Sequence, residues 1–61
     1  MLIEWVPAYP ARPPRGFLRK VQIATDRAAA AHRRRTGVQR PSVAKVFLRA
    51  DDTIERVEVV E

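Results

Sequence analysis

The stretch SVAKVFLRADDTIERVEVVE alternates apolar and charged residues on both sides of Asp51 and Asp52, and a period of two is the signature of paired strands. With the two aspartates at the centre of a turn, Val46 faces Val57, Ala44 faces Val59, Val43 faces Val60, Lys45 faces Glu58 and Phe47 faces Arg56. Apolar residues then meet and opposite charges pair. A three-residue loop would instead set Val46 against Glu58, a worse match. A two-residue turn would require positive φ at both aspartates, so the same register is expected with a loop over residues 50–53.

Upstream, LIEWVPAY alternates in the same way, which predicts a strand over residues 2–6 that Pro7 ends or confines to an edge. FLRKVQIATDRAAAAHRRR places Phe17, Val21, Ala24, Ala28 and Ala31 at spacings of four and three, the stripe of an amphipathic helix, widened by Leu18, Thr25 and His32. Arg33, Arg34 and Arg35 suit the negative end of a helix, and Gly37 can close it. The β-branched Val21, Ile23 and Thr25 support an alternative, a second strand over residues 17–24 followed by a shorter helix from Thr25 or Asp26.

The expected class is therefore α+β: a small β-α-β-β domain with a three-stranded sheet, one helix across a face and a C-terminal β-hairpin. The alternative is β-β-α-β-β with the shorter helix. One helix covers only one sheet face. Val43, Phe47, Ile54 and Val60 are then left on the other, as a candidate protein interface that points to a homodimer or a protein partner.

Size argues in the same direction. A chain of 61 residues forms one domain, 1–61, with a Pro-rich connector over 7–16, and it buries only about 60% of its unfolded surface. It has no cysteine, so neither disulfides nor thiolate metal sites reinforce it, and association with a second chain is the remaining support. No basic, apolar leader and no run of about 20 apolar residues appears, which predicts a soluble cytoplasmic protein without a membrane partner.

Catalytic chemistry needs convergent titratable groups, and this chain holds one His and one Ser. Neither an enzyme nor a small-molecule substrate is expected. Asp51 and Asp52 read as turn formers, with no spaced third acid to complete a metal site. Only Gly16 and Gly37 are present, too few for a glycine-rich phosphate loop. No metal or other cofactor is expected.

Charge carries the functional signal. The net charge is +5, but residues 10–49 hold eleven basic residues against the single acid Asp26, while residues 50–61 hold five acids against Arg56. Arginine-rich genomes exchange Lys for Arg without creating such a surplus. The segregation points to a polyanionic partner, DNA or RNA, met through phosphates. The candidate contacts are Arg12, Arg15, Arg19, Lys20, Arg27, Arg33, Arg34, Arg35 and Arg40, with His32 as a partly buried helix residue or an additional phosphate contact. Arg12 and Arg15 lie in PARPPRGF. Its PxxPxR spacing is similar to that of peptides that dock on SH3 domains. Its PRG resembles the core of an AT-hook, but Phe17 and Leu18 follow where the hook has a further arginine and proline. The simpler reading is a stiff connector. The competing function is a small adaptor or inhibitor that binds a protein through its basic helix or hairpin edge.

Overall fold

The computed structural model describes residues 2–60. Strand β1 (Leu2–Val6) leads through the proline-rich connector into helix α1 (Phe17–Thr36), followed by β2 (Val43–Leu48) and β3 (Ile54–Val60). The sheet order is β1-β2-β3, with β1 parallel to β2 and β3 antiparallel to it. The chain is thus a small α+β domain with one helix and a three-stranded mixed sheet. The helix begins at Phe17, so residues 17–24 are helical and form no second strand.

The core forms where β2 meets the first half of α1. Ala44, Val46 and Leu48 point toward the helix and are buried, as are Phe17 and Val21 above them. Val46 is fully enclosed, at 0% exposure. Trp5, Ile54 and Val57 close the sides of this cluster. The helix backbone lies over β2 and β3 and not over β1; Phe17 reaches β1 only through its ring, 5.7 Å from that of Trp5.

The buried line of α1 is rotated from the expected one. Phe17, Val21, Thr25, Ala29 and His32 are buried, Ala24 and Ala28 are half-buried, and Ala31 and Leu18 are exposed. Thr25 tolerates burial because its hydroxyl donates to the carbonyls of Val21, at 2.9 Å, and Gln22, at 3.0 Å. Three strands support only one side of the apolar stripe, and the alanine side overhangs β3. Both ends of α1 rest on glycines with φ of 77°. Gly37 closes the C-terminus with a 2.8 Å bond from its N–H to the Arg33 carbonyl.

Each of the five expected hairpin pairs, from Val43 with Val60 to Phe47 with Arg56, is present. The tip differs from the expected four-residue loop. The Arg49 N–H donates to the Thr53 carbonyl at 2.8 Å and the Asp52 N–H to the Arg49 carbonyl at 3.0 Å, so residues 50–52 make a three-residue loop with Asp52 at φ 66°. Glu55 is the compensating extra residue: Leu48 pairs with Ile54 and Phe47 with Arg56, leaving Glu55 as a β-bulge. That bulge restores the register that a three-residue loop alone would have spoiled. It also turns Ile54 to the helix side, where it packs on the core and not on the open face.

Two measurements test this account. Val46→Ala should cost about 2 kcal/mol in urea unfolding, from two lost methyl groups and the cavity they leave. That is a large share of the roughly 3–9 kcal/mol available to a domain of this length; a cost near zero would show that Val46 is not the centre of the core. At the tip, the Asp51 carboxylate accepts bonds from the Thr53 hydroxyl, at 2.6 Å, and from its N–H, at 3.1 Å. These bonds favour the charged form and hold the Asp51 pKa below its usual 3.8, the hydroxyl contributing most. The tip is therefore firm above the unfolded-state value and loosens as the pH falls through the lower, folded one. An NMR titration of the Asp51 carboxyl should give a midpoint below 3.8, with the Thr53 amide shifting in step.

Candidate nucleic-acid interface

A straight α-helix turns about 100° per residue, so residues seven apart lie nearly in one line, about 10.5 Å from one to the next. Lys20, Arg27 and Arg34 have this spacing and are exposed. Their line runs about 21 Å along α1, roughly the rise of six base pairs at 3.4 Å each, from the β3 flank, where Lys20 borders a cleft with Phe17 and Ile54, round toward solvent at Arg34. Ile23, 43% exposed, sits beside it on the solvent side. Ala30 and Ala31 add no bulk between Arg27 and Arg34, so a polyanion can approach the helix closely there.

The remaining candidates divide around this line. Arg19 and Arg33 lie on a line about 100° round the helix, with Asp26 seven residues from each, so an acid interrupts it. Arg33 and Arg34 border an open depression of about 510 Å³ together with Ala30 and Gln39. Gln39 adds an amide beside two guanidinium groups, a contribution the basic-residue pattern had no means of revealing. Arg35 turns to the flank above β3, where it borders a groove with Val57 and Val59. Arg40 lies in the exposed loop between α1 and β2, and Arg12 and Arg15 in the connector. The triple-arginine run is thus spread around the helix end, and the aligned set draws one member from each of three separate places in the sequence. His32 is 5% exposed, within the core side of α1, and is not a surface contact.

Among the described residues, no carboxylate lies within ion-pairing distance of these nine cations. Arg56 instead pairs with Glu58, at 3.1 Å, and Glu55, at 3.4 Å, all on β3. Unpaired guanidinium and ammonium groups on an exposed helix keep their full field for a partner.

The connector is pinned and not a free arm. Tyr9 meets the Trp5 ring edge-on at 5.0 Å and the Phe17 ring at 5.7 Å, and Pro10 is buried. The three rings pack on one another at the junction of strand, connector and helix.

The open sheet face carries three cross-strand rows: Leu2, Val43 and Val60; Glu4, Lys45 and Glu58; Val6, Phe47 and Arg56. Val43 and Phe47 are half-buried by their neighbours, Val60 is more exposed, and the Arg56 guanidinium stacks 3.9 Å above the Phe47 ring. This face is charge-balanced, in contrast with the helix. Among the described residues, no group of three His, Asp or Glu is arranged to hold a metal ion, and no helix is long and apolar enough to cross a membrane.

Compared with known proteins, the chain matches no family model, no curated protein and no solved structure.

Because Lys20, Arg27 and Arg34 are exposed and have no ion pair among the described residues, replacing all three with Gln should change the unfolding free energy by only about 0.5 kcal/mol per site or less. Loss of the folded circular dichroism signal in that variant would show that the line is structural.

Proposed function

We propose that this chain is a small non-enzymatic domain that binds DNA or RNA phosphates through the solvent side of α1. The observation that carries the reading is the line Lys20, Arg27 and Arg34, exposed, without a carboxylate partner among the described residues and aligned along about four turns. Arg33 with Gln39, and Arg19 at the other end, widen the surface. Such contacts position a nucleic acid without reading its bases, so binding is expected to be largely indifferent to sequence and steeply weakened by salt.

A second reading has its own observation. The Leu2, Val43 and Val60 row and the ring of Phe47 leave apolar surface on the open sheet face, with Leu2 74% exposed. A protein partner on that face would make the domain an adaptor or inhibitor.

Fluorescence anisotropy with duplex DNA, single-stranded DNA and structured RNA, across a salt series, separates the two. The Lys20→Gln, Arg27→Gln, Arg34→Gln triple variant should reduce the slope of log affinity against log salt by about 2 to 3, from roughly 0.7–0.9 per phosphate contact removed. The Arg33→Gln, Arg35→Gln pair, from the same charge run but off the line, should lose less. Absence of binding to every probe at low salt would sink the phosphate reading. Capture of a protein partner that Phe47→Ala or Val60→Lys releases would favour the adaptor.

A further inference from the structure

The free edge of β3 and the alanine flank of α1 point to an occupant that the three-stranded sheet lacks. β3 pairs with β2 on one side and, among the described residues, has no strand on the other. Above that edge the helix overhangs. A cleft of about 410 Å³ between Phe17, Ala24 and Ile54 is followed along the same side by one of about 300 Å³ between Ala28, Ala31, Val57 and Val59. Small residues on the helix and β-branched ones on the strand leave the space that an added strand and its cover would fill.

We infer that a second copy of this chain pairs here, β3 against β3, making one six-stranded sheet with both helices on the same face. A two-fold axis perpendicular to a sheet keeps each residue on its own face, so only residues of equal parity oppose one another. An axis at Arg56 opposes Arg56 to Arg56, and an axis at Glu58 opposes Glu58 to Glu58. With the axis at Val57, Arg56 faces Glu58 of the other copy, and the pair occurs twice. Charge complementarity therefore selects one register, and places Val57 against Val57 on the helix side. Within one chain, Arg56 and Glu58 already lie side by side at 3.1 Å on exposed positions, ready to exchange partners.

The helix spacing agrees. Strands lie about 4.8 Å apart, and a helix seated over β2 and β3 would then be about 10 Å from its symmetry mate. That is a contact distance for helices, which Ala24, Ala28 and Ala31 can accommodate. Lys20 and Arg35 fall at the two ends of the flank, where long stems let their charges turn to solvent. Arg27 and Arg34 lie further round α1 toward solvent than Lys20. The inference does not depend on what they bind.

The test uses the full chain, with mass measured by light scattering and sedimentation from micromolar to millimolar concentration and folding checked by circular dichroism. Wild type should reach dimer mass. Arg56→Glu and Glu58→Arg should each weaken the dimer about tenfold or more, since each sets like charges opposite one another twice. Mixed in equal amounts, the two variants should dimerise again, because every facing pair then carries opposite signs. Ala28→Arg, which leaves the strand intact, should also block assembly and covers the case in which loss of the Phe47 stack unfolds Arg56→Glu. A wild-type monomer at millimolar concentration, dimers that survive Glu58→Arg and Ala28→Arg, or folded single variants that fail to dimerise on mixing would each overturn the inference.

Discussion

Burial of β2 beneath the first turns of α1 is the constraint on which the rest depends. β2 is the central strand of the sheet, and its Ala44, Val46 and Leu48 are the sheet residues that Phe17 and Val21 cover. In a chain this short no second core exists to compensate. The parallel strand β1 is held partly through that centre: Trp5 pairs with Val46 and stacks beside Phe17, which fixes where the connector must start and end. Tyr9 and Pro10 then fold inward. The aromatic residues serve the junction of strand, connector and helix, and the basic residues are left as the chemically distinctive surface.

The division of charge follows from that placement. The core side of α1 is built from Phe17, Val21, Thr25, Ala29 and His32, so cations at the remaining helix positions turn to solvent or to the flanks. The acids gather on the hairpin, where Asp51 fixes the tip and Glu55 and Glu58 pair with Arg56. They do not neutralise the helix. The domain therefore has one strongly positive side and one charge-balanced sheet face.

Much of this was readable from the residues alone. Period-two alternation determined all three strands and the register of the hairpin, because a one-residue slip would have driven charges into the apolar face. The spacing of Phe17 and Val21, the arginines of the last turn and Gly37 determined a helix and its end, since these are local effects of periodicity, dipole and φ. The surplus of cations over residues 10–49 was also visible, as was the scarcity of groups for catalysis.

What only the tertiary structure decided was the direction in which otherwise correct elements face. The apolar stripe of α1 was wide enough to be centred on Ala24, Ala28 and Ala31 or on Thr25 and His32; the position of β2 and β3 beneath the helix chose the latter. Ile54 was placed on the open face by simple alternation, and the Glu55 bulge reversed it, because the geometry of the Asp52 turn needed an extra residue to recover the register. The basic site changed in the same way. Adjacent arginines drew attention in the sequence, but a helix scatters neighbours by about 100° and gathers residues seven apart, so Lys20, Arg27 and Arg34 became a surface only once the core had fixed which side of α1 was in.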